Sequence, residues 1–338
     1  MHTILVIGGY GFFGGRISAA LAKNPSVRLL IGGRSVDSGR RMARELGLKE
    51  EQAVCVDADS PKLSQDLSEL RVGTIVHTAG PFQNQDYSVA RAAIDAGCHY
   101  IDLADGRQFV GGIVELDAAA KARGVTVVSG ASSGARSPGL ATVRGVFSYA
   151  GKPIRTLRNG SWVSAYGWRG LIRHRFPSPL GRRWLGACDV PDLDVLPQRY
   201  PTVATVSFHA GFASDAGHLL VWVLAGLVKA GWMKSMTACA SPLIRISRWI
   251  EPLVSDKGGM FIALDGTGSD GQKRRMTWNL IAEHNHGPFI PCGASIVLAT
   301  KLAGKHKLPI GAMPCVGLIT VAEYLAALRE LDVQEVVE

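Results

Sequence analysis

The sequence lacks the closely spaced cysteine pairs that mark zinc sites and dithiol redox centres. Its six cysteines stand at positions 55, 98, 188, 239, 292 and 315, and no two of them form a Cys-x-x-Cys pair. In a chain of 338 residues, six dispersed thiols also exclude a disulfide-stapled miniprotein. We therefore expect free thiols in a reducing compartment and no metal site.

A long apolar run is also missing. The most apolar stretch, residues 219–233, is about 15 residues long and interrupted by Lys229, whereas a bilayer span needs roughly 18 to 20. The first nine residues have neither a basic segment nor a small-residue cleavage site, which argues against a secretory signal. The expectation is a soluble, cytoplasmic protein.

Acidic residues are absent from residues 151–188, which hold eight Lys and Arg side chains and supply most of the net charge of +9. This segment favours an anionic partner, such as a carboxylate or phosphate substrate or an anionic membrane surface, and a solvated arginine face is the simpler alternative. No helix-turn-helix, zinc-finger or RNP pattern accompanies the charge, so nucleic acid is not expected. We predict a small anionic substrate, with Arg169 and Arg173 as candidate ligands.

The first 130 residues alternate short β-branched runs with helical stretches, which predicts an α/β fold with a doubly wound parallel sheet. The predicted strands are 3–7, 27–31, 53–56, 74–78, 100–103 and 125–129, and the predicted helices are 12–23, 37–46, 62–70, 87–96 and 109–123. The rhythm changes in the Gly- and Ser-rich segment 130–139. We predict a nucleotide-binding domain at 1–135 and a second α/β domain with a mixed sheet at 136–314. An amphipathic tail at 315–338 is expected to pack back on the first domain.

The segment Gly9-Tyr10-Gly11-Phe12-Phe13-Gly14 matches the G-x-G-x-x-G pattern of dinucleotide-binding turns. It follows an apolar strand that ends at Ile7-Gly8 and opens a helix, which is the context the pattern requires. The first glycine permits the tight turn, the second lets the backbone approach a pyrophosphate, and the third allows close packing of helix on strand. A dinucleotide cofactor is therefore expected here.

The end of the second predicted strand has no carboxylate for a ribose 2′-hydroxyl. Instead, the strand runs into Gly33-Arg34-Ser35, with Arg40 and Arg41 one or two helical turns on. An arginine at this position matches a 2′-phosphate, so we predict NADP(H) in preference to NAD(H). Two further strand ends complete the predicted cofactor site: Asp57 and Asp59, which border the adenine or cap the next helix, and Thr78-Ala79-Gly80-Pro81-Phe82, where Phe82 lies against the nicotinamide or fills the core.

These pieces resemble the saccharopine dehydrogenase-like oxidoreductases. The resemblance is carried by Ile7 to Gly14, Gly33-Arg34, His77-Thr78-Ala79-Gly80-Pro81-Phe82 and Tyr100-Ile101-Asp102-Leu103-Ala104-Asp105-Gly106, and it continues more loosely through 258–261 and 286–292. It implies an NADP-binding Rossmann domain followed by a C-terminal α/β domain that carries substrate specificity and often the dimer contact. It also implies that Arg34 binds the 2′-phosphate and that Gly80-Pro81-Phe82 lines the nicotinamide end. The segment 132–139 has residues beyond the family pattern, so the substrate pocket is expected to differ.

The catalytic group is left open by the sequence. Hydride transfer relies on the cofactor, and the protein adds a proton donor or acceptor. The candidates at strand ends are His77, Asp102, Asp105 and Arg107, while His77, Asp102 and the nearby Tyr87 are equally well explained as structural groups. His284 and His286 stand two apart without a suitable third ligand, so no metal is expected there.

The leading hypothesis is an NADP(H)-dependent oxidoreductase that acts on an imine or C=C substrate bearing an anionic group. The alternative is a non-catalytic NADP-binding sensor or a protein that docks on lipid, suggested by Trp162, Trp168 and Trp184 beside the arginines and by residues 219–233. The simpler interpretation of 219–233 is core or a homodimer interface. A short-chain reductase would need a Tyr-x-x-x-Lys pair after the fourth strand, and none is present. Nucleophile-elbow and Walker motifs are absent too, which argues against hydrolases and kinases.

Overall fold

The computed structural model describes residues 1–83, 85–132, 140–212, 214–250, 256–304 and 308–338. The strands are β1 His2–Ile7, β2 Val27–Gly33, β3 Ala53–Cys55, β4 Thr74–His77, β5 His99–Asp102, β6 Thr126–Ser129, β7 Pro153–Arg158, β8 Ser161–Tyr166, β9 Ile172–Arg175, β10 Arg182–Ala187, β11 His209–Ala210, β12 Gly258–Thr267, β13 Lys273–Ala282, β14 Gly311–Pro314 and β15 Val333–Val337. The helices are α1 Phe12–Ala22, α2 Val36–Glu45, α3 Leu63–Glu69, α4 Ser88–Asp95, α5 Arg107–Gly112, α6 Asp117–Arg123, α7 Leu140–Tyr149, α8 Asp192–Arg199, α9 Asp215–Lys229, α10 Ala240–Ile250, α11 Gly293–Ala303 and α12 Val321–Leu328.

The chain divides into two compact units. The first unit comprises Met1–Ser133, Val190–Thr202 and Pro291–Ala327, and the second comprises Gly134–Asp189, Val203–Ile290 and Leu328–Glu338. This division differs from the sequence-based boundary at 135/136, because residues 190–202 and 291–314 belong to the first unit. The predicted tail is split between the units, with 315–327 in the first and 328–338 in the second.

The core of the first unit is a seven-stranded parallel sheet in the order β14-β6-β5-β4-β1-β2-β3. Its strands are apolar on both faces because helices cover both sides, as parallel sheets require. Leu5, Ile7 and Ile75 belong to the core on one face, and Ile4 and Val6 belong to the core on the other. The predicted doubly wound parallel sheet is confirmed, and the strand order reverses between β1 and β4, where such sheets bind ligands.

The additions to the first unit come from distant parts of the chain. Strand β14 extends the sheet by pairing in parallel with β6. Helix α11 packs on the sheet through Leu298 and Ala299, which share a buried cluster with Ile4 and Val6. These contacts explain why residues 291–314 belong to the first unit.

The predicted helix 109–123 is interrupted. The structure has α5, then a 3-10 turn at Ile113–Leu116, and then α6, which ends at Gly124 with φ +68°. Two consecutive glycines, Gly111 and Gly112, weaken the helix at the break. A Cβ on Gly112 would lie 2.5 Å from the hydroxyl of Tyr87, so this side chain packs directly against the interruption.

The second unit combines helices with antiparallel strand pairs. Its sheets among the described residues are β7-β8, β9-β10-β11 and β12-β13-β15. Strand β15 explains why the chain beyond Leu328 leaves the first unit, since it pairs with β13. Between residues 203 and 210 the chain contributes the short β11 and a single bridge from Val206 to Leu157. The fold class predicted from the sequence, a parallel α/β unit followed by a second unit of helices and sheets, is confirmed.

Across the described part of the chain, no helix combines the length and the apolar character that crossing a membrane requires.

Candidate functional site: a nucleotide cradle at the carboxyl edge of the sheet

The glycine-rich turn joins β1 to α1 and is closed by backbone hydrogen bonds. Gly8 has φ +81°, which favours glycine. The amides of Gly8 and Gly9 both donate to the carbonyl of Gly32, at 2.9 and 3.1 Å, and the amide of Gly11 donates to the Gly8 carbonyl at 2.8 Å. The turn is therefore fixed to the end of the neighbouring strand β2.

Gly14 is the tightest position of the turn. A Cβ on Gly14 would lie 2.1 Å from the carbonyl oxygen of Gly8 and 2.7 Å from the Thr78 hydroxyl. The Thr78 hydroxyl in turn donates to the Ile7 carbonyl at 2.8 Å. Strand β4 thus braces the turn from the side opposite to β2, and this contact depends on the missing side chain.

The first turn of α1 is free to receive an anion. Gly11 is the N-cap, is exposed and offers no side-chain cap, and the first turn contains no acidic residue. The leading amides of a helix have no intrahelical acceptors and carry the positive end of the helix dipole. Together with the glycines at positions 8, 9, 11 and 14, these features fit the pyrophosphate of a dinucleotide.

Tyr10, within the glycine-rich turn, lies over the end of β2. A Cβ on Gly33 would come within 2.5 Å of the Tyr10 hydroxyl, so the ring covers this glycine. The same hydroxyl accepts a hydrogen bond from the Ser35 amide at 2.9 Å. The Ser35 hydroxyl caps α2 by accepting from the Ser38 amide at 3.3 Å. Ser35 is therefore committed to the helix start, and sequence reasoning did not anticipate this role for Tyr10.

Arg34 is exposed at the end of β2. Its neighbour Arg40 lies 3.6 Å from Asp37 and 4.0 Å from Glu50. Among the described residues, Arg34 and Arg41 have no carboxylate partner. These two guanidinium groups are therefore the ones available for a phosphate.

The two aspartates beyond β3 have different surroundings from those of a helix cap. Both Asp57 and Asp59 are exposed. The Asp57 carboxylate accepts from the Asp59 amide at 3.2 Å, which closes the turn that leads toward α3. The N-cap of α3 is Lys62, so Asp57 does not cap that helix. Their predicted place beside the adenine stays a prediction.

The segment after β4 lies where the strand order reverses. Gly80 and Pro81 are exposed and Ala79 is partly exposed, so this edge is open to a ligand. Phe82 is buried, with ring centroids 5.1 Å from His77 and 5.4 Å from Phe109. Of the two placements considered for Phe82, the structure has the one in the core.

Beneath this edge lies a cluster of buried polar side chains. His77 and Asp102 are directly opposite each other on β4 and β5. The His77 Nδ1 is 3.0 Å from the Tyr100 hydroxyl, and its Nε2 has no hydrogen-bond partner among the described residues. The Asp102 Oδ1 accepts from the amides of Ala104 and Gly130 and from the Ser129 hydroxyl, at 2.8 to 3.0 Å. Asp102 thus ties the ends of β5 and β6 together, and within the described part of the chain its Oδ2 accepts no hydrogen bond.

Comparisons with known proteins agree with this geometry. Residues 4–128 match the model of the saccharopine dehydrogenase NADP binding domain. The matched residues include the glycine turn, Arg34 and the buried side chains of His77, Tyr100 and Asp102. A search of the curated proteins found no significant match.

Solved structures share the fold. Apo saccharopine dehydrogenase (L-Glu forming) from Saccharomyces cerevisiae has a TM-score of 0.63 at 11% identity, with 99% of this chain and 100% of that chain covered. A probable dehydrogenase from Thermotoga maritima has a TM-score of 0.30 at 18% identity, with 47% and 46% covered. GenD2 from gentamicin A biosynthesis, in complex with NAD, also has a TM-score of 0.30, at 24% identity, with 43% and 38% covered. The likeness to the yeast enzyme shows a shared fold over nearly the whole of both chains.

Arg107 forms an ion pair within the first unit. Its side chain is only 10% exposed and pairs with Asp194 of α8. This partner is 87 residues away in sequence, so no local pattern could have revealed it. The expectation that Arg107 faces a substrate is not supported by this geometry, because the Asp194 carboxylate engages two of its nitrogens.

Asp105 lies in the loop after β5. It is partly exposed and accepts a hydrogen bond from the Gln83 side-chain amide at 2.9 Å. Burial raises the pKa of this carboxyl above its ordinary value, and the hydrogen bonds from Gln83 and from its own backbone amide counteract burial only in part. Gln83 is a second residue that the sequence patterns did not indicate.

The buried pair His77 and Asp102 predicts a distinctive pH dependence of stability. Burial lowers the pKa of His77 from 6.5 to about 4, so the unfolded chain binds more protons between these values and stability falls as the pH falls. Burial raises the pKa of Asp102 from 3.8 to about 6, so the folded chain binds more protons between these values and stability rises as the pH falls. The two effects oppose each other between pH 4 and 6.

Single substitutions should reveal each effect. Asp102→Asn keeps an acceptor oxygen but removes the titration, so its free energy of unfolding should drop relative to wild type by up to about 3 kcal/mol between pH 6 and 4. For His77→Gln, the free energy of unfolding should instead rise relative to wild type as the pH falls from 6 to 4. Urea unfolding at pH 4, 5 and 6 measures both differences. If the free energy of unfolding changes with pH in both variants as it does in the wild type, this assignment is contradicted.

The predicted substrate ligands of the second unit lie in aromatic surroundings. Arg169 stacks on Trp222 at 3.9 Å and donates to the Trp222 carbonyl at 2.9 Å, so it anchors α9. Arg173 is exposed, with its guanidinium carbon 5.2 Å from the Trp184 ring. Their role in substrate binding stays a prediction.

The paired histidines have structural partners. The His284 Nδ1 lies 2.7 Å from the Asp332 carboxylate, and the His286 Nδ1 accepts from the Asp332 amide at 2.9 Å. No group of three metal-binding side chains occurs among the residues that the structure describes. The segment 132–139, whose additional residues predict an altered substrate pocket, lies outside the described residues except for Ser132.

Proposed function

We propose that the chain is an NADP(H)-dependent oxidoreductase that transfers hydride to or from an imine or C=C substrate bearing an anionic group. The observation that carries the proposal is the combination of the glycine-rich turn with Arg34, an exposed arginine at the end of β2 that has no carboxylate partner among the described residues. Arg34 occupies the position where an NAD-binding domain usually has a carboxylate. The family match of residues 4–128 supports the cofactor class.

The nicotinamide group supplies or accepts the hydride when it is bound. The residues of this chain bind and orient the cofactor. The α1 N-terminus would hold the pyrophosphate and Arg34 the 2′-phosphate. The exposed edge at Ala79, Gly80 and Pro81 leaves room for the remainder of the dinucleotide.

Asp105 is the group best suited to hold a proton at this edge. Its raised pKa favours the protonated carboxyl, and it is partly exposed. His77 and Asp102 are almost completely buried, and Arg107 is paired with Asp194. We therefore propose Asp105 as the acid or base of the reaction.

The direct test follows NADPH oxidation at 340 nm over a panel of amino-acid and keto-acid pairs and unsaturated acids. We expect turnover with at least one substrate, and NADH should be the poorer cofactor. With that substrate, Asp105→Asn should lower kcat about tenfold or more while the Kd for NADPH stays unchanged. Tight NADPH binding without turnover across the panel would contradict the proposed reaction and favour a non-catalytic role.

A further inference from the structure

Helix α9 is apolar on the side that faces solvent. Its inner side is buried through His218, Val221 and Ala225. On its outer side, Leu219, Leu220 and Val223 are 39 to 49% exposed. A surface helix of a globular protein normally presents polar residues there. Exposed apolar patches of this kind mark interaction sites.

An exposed tryptophan follows the end of the helix. Trp232 is 82% exposed. Its backbone is held near the helix end, because its amide donates to the Leu227 carbonyl at 3.0 Å. Lys229 and Lys234 flank it in sequence, and both are exposed. We call Leu219, Leu220, Val223 and Trp232 the α9 face.

The surroundings of the α9 face are strongly basic. Helix α9 has one acidic residue, Asp215 at its start. Residues 216–245 contain three Lys and Arg side chains and no Asp or Glu, and residues 151–188 contain eight and none. The two segments touch within the second unit. The Lys229 ammonium lies 4.2 Å from the ring centroid of Tyr166, at the end of β8, and Arg169 clamps Trp222 of α9.

The hairpin of β9 and β10 adds charge that has no internal counterpart. Arg175 stands directly opposite Arg182, and like charges at such positions repel each other. Arg173, Arg175 and Arg182 are exposed, and none of them pairs with a carboxylate among the described residues. An external anionic surface would relieve this repulsion.

We propose that the second unit docks on an anionic lipid bilayer through the α9 face. Exposed aliphatic side chains, a terminal tryptophan and surrounding cations are the combination that favours the interface of an anionic membrane. A second copy of the chain would bring the same cations against each other if this face paired with itself. Nucleic acid would leave the aliphatic strip without a partner. The helix would lie along the surface, since it is not long enough to span the bilayer.

The test is co-sedimentation of the full chain with vesicles of phosphatidylcholine containing about 30% phosphatidylserine, at low salt. We expect the protein to pellet with these vesicles and not with pure phosphatidylcholine, and to be released at high salt. Trp232→Ala and Val223→Ser should each weaken the partition several-fold, and the double variant about tenfold or more. Both side chains are exposed, so the fold should be retained, which circular dichroism checks.

Matched controls distinguish the α9 face from exposed apolar surface and charge in general. Leu264→Ser changes a side chain that is 54% exposed on β12 and should leave the partition unchanged. Arg173→Glu with Arg175→Glu should abolish binding, whereas Lys273→Glu on β13 should not. Absence of binding at low salt, or equal loss in the controls, would overturn the proposal. So would a dimer in solution that Val223→Arg converts to a monomer, because the face would then be the homodimer interface expected from the sequence.

Discussion

Gly14→Ala is expected to abolish NADPH binding, with a loss of affinity of more than about 100-fold. A Cβ at this position would lie 2.1 Å from the Gly8 carbonyl oxygen, and neither that backbone atom nor the Thr78 hydroxyl can withdraw freely. Gly8 is held by its bond to Gly32 and Thr78 by its bond to Ile7. The turn must therefore open, which displaces the amides that face the pyrophosphate. Isothermal titration calorimetry with NADPH measures the effect.

The adjacent glycine provides the control. A Cβ on Gly15 would lie 3.4 Å from the terminal methyl of Met42, which is the flexible end of a side chain. Gly15→Ala should therefore keep NADPH binding and stabilise α1 by about 0.5–1 kcal/mol, because alanine favours the helix. Equal losses of affinity in both variants would show that the helix tolerates no side chain in general, and would contradict the specific role of Gly14.

Arg34→Ala is expected to weaken NADPH binding about 10- to 100-fold and to leave NADH binding nearly unchanged. A charge-assisted hydrogen bond to a phosphate contributes about 1.5–3 kcal/mol, which corresponds to this range. NADH lacks the 2′-phosphate, so the substitution removes no contact to this cofactor. The ratio of the two affinities, measured by calorimetry on the same preparation, isolates this contact from any general damage.

Arg28→Ala is the matched control for the loss of a positive charge. Arg28 is also exposed and lies near the beginning of β2, about 20 Å along the strand from Arg34 at roughly 3.3 Å per residue. Its removal should leave the affinity ratio as it is. An unchanged ratio in Arg34→Ala would show that another group selects the cofactor, and Arg41 would then be the next residue to test.

The nucleotide-binding half of the fold is predictable because its signals are local. The alternation of apolar runs and helical stretches indicates β1 to β6. Each glycine of the turn at residues 8–14 lies within seven residues of the end of β1. Arg34, the residue predicted to select the cofactor, directly follows a predicted strand and its two terminal glycines. The opposition of His77 and Asp102 could also have been found by aligning the predicted β4 and β5 in parallel register.

The remaining features depend on contacts between distant residues. Strand β14 joins β6 although 181 residues separate Ser129 from Gly311, and its sequence Gly-Ala-Met-Pro has no β-branched residue that would predict a strand. The pairing of Arg107 with Asp194 and the capping of Ser35 by Tyr10 have no local signal either. The sequence does not predict the exposed outer side of α9, because an apolar helix is normally buried.

The most direct measurement is a side-by-side calorimetric titration of the wild-type chain with NADPH and with NADH. The geometry of the glycine turn and Arg34 predicts that NADPH binds at least about tenfold more tightly. Equal affinities would contradict the role of Arg34. Binding of neither cofactor would contradict the proposed oxidoreductase function itself, because the cradle would then hold no dinucleotide.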